Sequence, residues 1–323
     1  MEGPGLVNGP GLADGAGGAY ANVVSDQNPY PDNPLDERER LFDFVETAPD
    51  RFSVAPVRSG LLRLFGGAIL SQCLDAARRT VPDQKIAHSF HAYYMKPGLT
   101  DAVNEIEVTR ETDGRSFATR AVRMTQGDAP LMRMMASFKV DEDSAGHSIP
   151  MPDVPDPETL EPLADILARL SKDLPARHGP FWLRRQQIDW RPVQPFPFRN
   201  SRRLAPCRQF WFRFKGTIDG PHYVHQRWLA YASDMHIIHT GLGPMGIDWS
   251  NDRLQTSSLD HAVWFHDLFR VDDWLLYTLE SPAAGNALSY GRGNIFRRDG
   301  TCVASVSQQG LVRMLDSKRE GKL

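Results

Sequence analysis

Three polar side chains in the second half of the chain interrupt runs that are otherwise apolar. They are the carboxylate of Asp234, the hydroxyl of Ser258 and the amide of Gln308. Burying such groups is costly unless they have hydrogen-bonding partners or a chemical task. A carboxylate can take up a proton, and a hydroxyl and an amide can each donate and accept hydrogen bonds. We therefore interpret the three residues as one site that could hold and deprotonate a small molecule.

Length and composition limit what this site can belong to. The chain has 323 residues, of which 41% are hydrophobic and 24% charged, and this is enough for two domains of common size. The formal net charge of −3 offers no basic field for nucleic acid. No apolar run approaches the ~18 residues of a membrane helix, and no signal peptide opens the chain, so we expect no membrane partner.

The cysteine content indicates the cellular compartment. Cys73, Cys207 and Cys302 are widely spaced and odd in number, which supports neither a disulfide framework nor a zinc site. We therefore expect a reducing environment, with the cytoplasm as the default. The last three residues are Gly-Lys-Leu, where a peroxisomal signal would normally be Ser-Lys-Leu, so the peroxisome stays an alternative.

Changes in composition divide the chain into four parts. Residues 1–35 are rich in Gly, Pro, Asn and Asp, which is typical of a flexible tail. Residues 36–140 form a first unit. Residues 141–175 form a linker rich in Pro and acidic residues that ends in a short helix. Residues 176–318 form a second unit, which carries the three site residues.

The two units share one order of elements. In the first unit we expect a short amphipathic helix over 36–52 and a helix over 64–79 that is apolar on nearly all sides and therefore buried. A strand and three hairpin-linked strands follow. In the second unit a strand over 210–215 and a mostly apolar helix over 226–240 precede the same series of strands.

The spacing of turns and strands supports a repeat. His88 and Gly127 are as many residues apart as Asp260 and Asp299. Internal repeats indicate fold more strongly than local propensity does. We expect an α+β protein made of two curved antiparallel sheets, each wrapped round a central helix and paired edge to edge, because such pairing removes exposed sheet edges.

Eight motifs, in order and at compatible spacing across residues 50–140 and 205–315, carry a resemblance to a known family. In the first unit they read LFGG, HSFHAYYMKPG, DGRSF and MMASF, and in the second YASD, LDHAVWFH, WLLY and ASVSQQG. Together they resemble the acyl-CoA thioesterase II family, the TesB-like double-hotdog thioesterases.

The resemblance implies a double-hotdog fold, a fatty acyl-CoA substrate and hydrolysis by an activated water. Asp234 falls on the family's catalytic aspartate and Gln308 on its glutamine. Ser258 stands where the family commonly has threonine, a change that keeps the hydroxyl and removes a methyl group. The resemblance implies no metal, no other cofactor and no covalent intermediate. It favours a homodimer or homotetramer.

Other groups would assist the same reaction. Backbone N–H groups at a helix start can stabilise the oxygen that becomes negative, and the Gly66-Gly67 turn is the closest candidate, with Gly67 named as the donor. Coenzyme A carries phosphate charges that Lys or Arg should meet. Lys96, Arg292 and Arg313 are the candidates that the sequence offers.

Two further patterns have simpler interpretations. A Ser-His-Asp triad from Ser258, Asp260 and His261 lacks a nucleophile turn, and neighbours on one strand point to opposite faces. His88 and His91 diverge on a strand without other ligands, so we expect structural histidines. Asp260 and His261 are expected to form hydrogen bonds within the sheet or across the pairing of the two repeats.

The aromatic residues of the second unit's strands also have a structural interpretation. Trp264, Phe265, Trp274 and Tyr277 are expected to line the core or an acyl tunnel. The paired arginines at 184–185 and 202–203 are either an anion-facing patch or solvated surface.

Two other functions fit the same fold. One is an acyl-CoA binder that has lost turnover. The other is a hotdog hydratase or dehydratase, which would need a histidine and a carboxylate at the acyl tunnel.

Overall fold

A computed structural model describes residues 40–56, 63–170, 187–196 and 202–315. The predicted tail (1–35), the arginine pair at 184–185 and the last three residues lie outside the described residues. No helix within the described ranges is long and apolar enough to cross a bilayer. The strands are β1 (Phe44–Ala48), β2 (Arg51–Val54), β3 (Lys85–Tyr94), β4 (Asn104–Asp113), β5 (Phe117–Gln126), β6 (Ala129–Val140), β7 (Ile188–Pro192), β8 (Cys207–Phe214), β9 (Leu254–Ser258), β10 (Asp260–Phe265), β11 (Leu275–Gly285), β12 (Leu288–Arg297) and β13 (Cys302–Met314).

The helices are fewer and shorter. They are α1 (Gly66–Arg79), α2 (Leu163–Leu170), α3 (His222–Ser233), α4 (Ile237–Thr240) and α5 (Leu242–Met245), with a 3₁₀ turn at Pro157–Thr159 in the linker.

The described strands form one antiparallel sheet that is nearly symmetric about its middle. The strand order is β1-β2-β4-β5-β6-β3-β10-β13-β12-β11-β8-β7, with β9 paired to β13. Reading outward from the central β3–β10 pair, each half presents the same series of strands. The expected edge-to-edge pairing of two repeats is therefore confirmed, and it removes one exposed edge from each repeat.

Helices α1 and α3, one from each repeat, pack against each other inside this sheet. A Cβ on Gly67 would overlap the carbonyl oxygen of Tyr231, so only glycine permits this approach. Helix α1 ends at Thr80, whose hydroxyl donates to the Ala77 carbonyl (2.8 Å). The two helices therefore share one core, which places the start of α1 beside the end of α3.

Two helix predictions are wrong in part. Residues 44–54 form the β1–β2 hairpin, in which Asp50 turns the chain with a φ of 60° and the rings of Phe44 and Phe52 meet at 6.0 Å. Mixed apolar and charged residues fit both a helical and an alternating period, and pairing with β4 selects the strand. The helix expected over 226–240 is broken after Ser233, because His236 adopts a left-handed φ of 68°.

Most of the described part of the linker (141–170) lies outside regular secondary structure but makes specific contacts with the second repeat. The indole N–H of Trp211 donates to the Pro155 carbonyl (3.0 Å), and that of Trp274 donates to the Glu158 carboxylate (3.0 Å). Arg298 also pairs with Glu158 (2.8 Å). The linker is therefore fixed against the second repeat.

Candidate active site

Asp234 occupies the break between α3 and α4. It directly follows the last residue of α3 and is 9% exposed. The end of α3 is held by Tyr277, whose hydroxyl donates to the Ser233 carbonyl (2.9 Å). The imidazole of His236 stacks on Phe210 at 4.1 Å between ring centres. These contacts keep the helix from continuing and fix Asp234 at its end.

Ser258 reaches Asp234 from the last position of β9. Its hydroxyl donates to Asp234 Oδ1 at 3.0 Å. In the pairing of β9 with β13, Ser258 lies opposite Gly310. A Cβ at Gly310 would lie 2.6 Å from Ile238 in α4, so the glycine lets α4 pack close to this part of the sheet.

Gln308 completes the predicted group from the inner face of β13. Its side chain is 1% exposed, and its Nε2 donates to the Ser258 hydroxyl at 3.0 Å. A carboxylate, a hydroxyl and an amide from three separate elements therefore meet through two consecutive hydrogen bonds. Their convergence on one bound water remains a prediction.

His261 fixes the orientation of Gln308. Its Nδ1 makes a short contact with Gln308 Oε1, and its Nε2 lies 2.9 Å from the Ser233 hydroxyl. Since Gln308 donates through its nitrogen to Ser258, its oxygen must accept, which places the histidine proton on Nδ1. Burial lowers the pKa of His261, despite the opposing effect of Asp234, and this favours the neutral ring.

The hydrogen bonds therefore share one direction. With a neutral His261, the ring donates to Gln308, Gln308 donates to Ser258, and Ser258 donates to Asp234. The Ser233 hydroxyl, 2.9 Å from His261 Nε2, is also within hydrogen-bond distance of the Ala230 carbonyl (3.0 Å). A chain with this polarity ends on the carboxylate of Asp234, which accepts from Ser258. Sequence reasoning expected His261 to form hydrogen bonds but did not connect it to Gln308, because the contact depends on the register of β10 and β13.

The first repeat supplies the opposite wall of the site. A Cβ on Gly66 would lie 2.5 Å from Asp234 Oδ2 and 2.8 Å from the hydroxyl of Tyr94. Gly66 and Gly67 open α1, and N–H groups in a first helical turn have no partner within the helix. The start of α1 therefore lies beside the carboxylate, and the role of Gly67 as an oxyanion donor stays a prediction. The sequence did not single out Gly66 as a neighbour of Asp234, or Tyr94.

The residue that ends the central helix differs between the two repeats. Thr80 follows α1 as Asp234 follows α3, but its hydroxyl accepts from the guanidinium of Arg120 (2.8 Å). Arg120 is fully buried and also pairs with Asp113 (2.6 Å). The first repeat therefore has a structural hydrogen-bond network at the position where the second repeat carries its carboxylate.

The three candidate phosphate-binding residues lie in different places. Lys96 is exposed two residues after Tyr94. Arg292 pairs with Glu280 on the outer face of the sheet, and Arg313 is exposed on the face of β13 opposite to Gln308. The structure therefore does not bring Arg292 and Arg313 to the Asp234 group, because alternate residues of a strand face opposite sides.

The other histidines and carboxylates named from the sequence have structural contacts. His88 Nε2 lies 2.8 Å from the Ser137 hydroxyl, and His91 packs edge-on against Trp264. Asp260 accepts from the Gln309 backbone N–H (2.6 Å), as expected for a bond within the sheet. No cluster of three or more potential metal ligands occurs in the described ranges.

The aromatic residues of the second repeat divide into two groups. Phe265, Trp274 and Tyr277 are buried, as predicted. Trp264 is 37% exposed on the outer face, so its assignment to the core or an acyl tunnel was wrong. It points away from the core because it alternates with the buried Val263 and Phe265 along β10.

A small, mainly apolar cavity of about 40 Å³ lies against the turn that follows Asp234. His236 forms part of its wall. Its apolar lining comes from β8, α5 and the segments beside them, namely Phe196, Leu204, Phe210, Leu242, Ile247 and Trp249. The character of this lining, though not the volume of the cavity, is that of a site for apolar ligands.

Comparison with solved structures defines the class of protein. The chain is similar to an acyl-CoA thioesterase II, TesB2, from Mycobacterium marinum, with 30% identity, a TM-score of 0.70, and coverage of 87% of this chain and 99% of that chain. It also shares its fold, at a TM-score of 0.70 and 16% identity, with a hot dog fold protein from Alicyclobacillus acidocaldarius, covering 87% and 99% of the two chains. The fold is a double hotdog.

Sequence comparison defines the family. Residues 48–139 match the model of the acyl-CoA thioesterase N-terminal domain, and residues 183–311 match that of acyl-CoA thioesterase. Acyl-coenzyme A thioesterase 8 of Homo sapiens is 35% identical, over 81% of this chain and 84% of its own length. Acyl-CoA thioesterase 2 of Haemophilus influenzae is 31% identical, over 79% and 89%. The chain belongs to the acyl-CoA thioesterase family.

Proposed function

We propose that the protein hydrolyses fatty acyl-CoA to free fatty acid and coenzyme A, using Asp234, Ser258 and Gln308 to activate water. The observation that carries the proposal is the hydrogen-bonded series of these three side chains at the end of α3. Family membership supports the reaction, since relatives at 31% to 35% identity are named as acyl-CoA thioesterases.

The chemistry follows from what each group can do. A water bound beside Asp234 gives one proton to the carboxylate as its oxygen bonds to the thioester carbonyl carbon. The carbonyl oxygen becomes negative, and in this scheme N–H groups at the start of α1, including that of Gly67, stabilise it. When the intermediate collapses, the C–S bond breaks and the thiolate of coenzyme A leaves. The proton held by Asp234 passes to that sulfur.

Ser258 and Gln308 position the water in this scheme. Both already have hydrogen-bond partners in the free protein, which limits their side-chain motion. A reactant held in near-attack geometry reacts far faster than one that must find it by diffusion. Serine in place of threonine keeps the hydroxyl, and the bond to Asp234 at 3.0 Å supports the same role.

The geometry disfavours a hydratase. That reaction needs a histidine and a carboxylate facing the acyl chain, whereas His261 is buried and contacts Gln308 and Ser233. Its pKa is lowered by burial, which suits an orienting role better than proton exchange with substrate. A binder without turnover would have no need of a buried carboxylate at the end of a chain of hydrogen bonds that all donate towards it.

Binding of the substrate would use two further regions. We assign the acyl chain to the cavity beside His236, which would have to widen to admit it, because its lining is largely apolar and His236 follows Asp234 by two residues. Lys96 is the remaining sequence candidate for a phosphate of coenzyme A, since it is exposed two residues from Tyr94.

We also propose a homo-oligomer that works in the cytoplasm without a metal or organic cofactor. The free thiols of Cys73, Cys207 and Cys302 suit a reducing compartment. Exposed apolar residues on the outer sheet face, such as Tyr93, Met135 and Trp264, support association of copies. Size-exclusion chromatography with light scattering tests the oligomer.

The activity is tested by following thiol release from butanoyl-, octanoyl- and palmitoyl-CoA. Ser258→Ala is compared with Ser257→Ala, a matched control, because Ser257 precedes it on β9 and is exposed. We expect Ser258→Ala to lower kcat about 10- to 100-fold and Ser257→Ala to leave it unchanged. No thiol release by the wild type, with acyl-CoA binding intact, would favour the binder. Consumption of an enoyl-CoA double bond without thiol release would favour the hydratase.

A further inference from the structure

The hydroxyl of Tyr94 is a buried polar group without a hydrogen-bond partner in the described part of the chain. Tyr94 is the last residue of β3, and its backbone N–H donates to the Leu259 carbonyl (3.0 Å). That bond fixes β3 beside the residue that follows Ser258. Unpartnered buried hydroxyls are rare, and they require an explanation when they border a reactive site.

The positions of Tyr94 and Asp234 can be compared through Gly66. A Cβ built on Gly66 would lie 2.8 Å from the Tyr94 hydroxyl and 2.5 Å from Asp234 Oδ2. The two oxygens are therefore close neighbours, yet they form no direct hydrogen bond. Because both oxygens lie within 2.8 Å of one point, they are less than two hydrogen-bond lengths apart, which is a span that a single oxygen atom can bridge.

The chemistry of the two groups decides what that bridging atom is. It must donate to a carboxylate and accept from a phenol, which a carbonyl oxygen cannot do and a water can. We propose that Tyr94 is a further catalytic residue, whose hydroxyl binds the attacking water against Asp234 Oδ2. The inference rests on the hydrolytic function proposed above.

The protonation state of Tyr94 suits this role. Burial, reinforced by the negative charge of Asp234, raises the pKa of Tyr94 well above its ordinary value. The phenol therefore keeps its proton and remains a donor. A water that donates one hydrogen to Asp234 and accepts from Tyr94 keeps a lone pair for the thioester carbon, so the attacking oxygen is oriented as well as deprotonated.

The contribution of the first repeat to catalysis follows from the same geometry. Asp234, Ser258 and Gln308 all come from the second repeat, whereas Tyr94 comes from β3 of the first, at the central strand pair. The water would then be enclosed from both sides of that junction. The active site would need both repeats, although the base comes from one alone.

The test replaces Tyr94 by phenylalanine in the full-length protein and measures thiol release from octanoyl-CoA. Tyr93→Phe is the matched control, because Tyr93 is the neighbouring tyrosine on the same strand and is 63% exposed on the other face. We expect Tyr94→Phe to lower kcat about 10- to 100-fold with an unchanged KM. The melting temperature should not fall, since the lost hydroxyl has no protein partner.

Three results would overturn the inference. A wild-type kcat in Tyr94→Phe would show that the hydroxyl does not act on the reaction. A raised KM with normal kcat would assign it to binding of the substrate. A lowered melting temperature would show that it bonds to the protein. A wild type that releases no thiol would refute the proposed function itself, whereas an active wild type with a fully active Tyr94→Phe refutes only the role of Tyr94.

Discussion

Replacing Gly66 by alanine should lower kcat and leave the stability of the fold nearly unchanged. The added Cβ would lie 2.5 Å from Asp234 Oδ2 and 2.8 Å from the Tyr94 hydroxyl, where ordinary van der Waals contact begins at 3.4 Å. The carboxylate must therefore retreat by roughly 1 Å. A displacement of that size at a reacting group lowers the rate about 10²-fold. We expect kcat for thiol release to fall by about that factor.

Stability should respond differently, because both crowded atoms are ends of side chains. Gly66 has no positive φ and begins a helix, where alanine is favoured over glycine by up to about 1 kcal/mol. The melting temperature of Gly66→Ala should therefore change little. Its neighbour provides the contrast: in Gly67→Ala the new Cβ meets the backbone carbonyl of Tyr231, which cannot rotate away. That variant should be less stable by about 1–3 kcal/mol.

The assays are thiol release with octanoyl-CoA and thermal unfolding followed by circular dichroism. Gly146→Ala serves as the control, since a Cβ there meets no atom within 4 Å. Full activity in a folded Gly66→Ala would refute the account of how α1 borders the carboxylate. Equal losses of stability in Gly66→Ala and Gly67→Ala would refute the distinction between side-chain and backbone crowding.

Three further predictions concern residues around the site. His261→Phe keeps the stacking on Phe90 but frees the Gln308 amide, so kcat should fall about tenfold or more; kinetics that match the wild type would contradict this. Burial lowers the pKa of His222 to about 4, so its stabilising effect is complete above about pH 6.5 and is lost as the pH falls towards 4. Between pH 7 and pH 5 the melting temperature should fall less in His222→Phe than in the wild type. Equal falls in the two proteins would exclude His222 as the cause. Ile247→Trp narrows the cavity and should slow the hydrolysis of palmitoyl-CoA more than that of butanoyl-CoA. An equal effect on both rates would refute the assignment of the acyl chain to this cavity.

The sequence predicted those parts of the fold in which local pattern and tertiary environment agree. Helix α1 is apolar on nearly all sides and is buried on nearly all sides. Strands β5 and β6 alternate clearly and end at turn residues, so their bounds could be given within a few residues. The equal spacing of turns in the two halves of the chain then predicted the repeat, and with it the central pairing of two sheets.

The missed elements are those whose structure depends on distant residues. The β1–β2 hairpin is selected by its pairing with β4, which no local pattern records. The end of α3 at Ser233 is determined by Tyr277 and by the stacking of His236, which lies beyond the break. Both errors arise because helix and strand propensities are weak beside tertiary contacts.

The site shows the same division. Asp234, Ser258 and Gln308 stood out as polar groups inside apolar runs, and the family resemblance gave them their roles. Gly66 and Tyr94 did not stand out, since a glycine before a helix and a tyrosine in a strand are ordinary residues. Their proximity to Asp234 arises only from the packing of the first repeat against the second.

The most direct test of the central claim is the rate of thiol release by Asp234→Asn. Asparagine keeps the shape of the side chain and can still accept from Ser258, but it cannot take a proton from water. The account predicts a folded protein whose kcat is lower by about 10²–10⁴-fold for every acyl chain length. A folded Asp234→Asn with near wild-type kcat would contradict it.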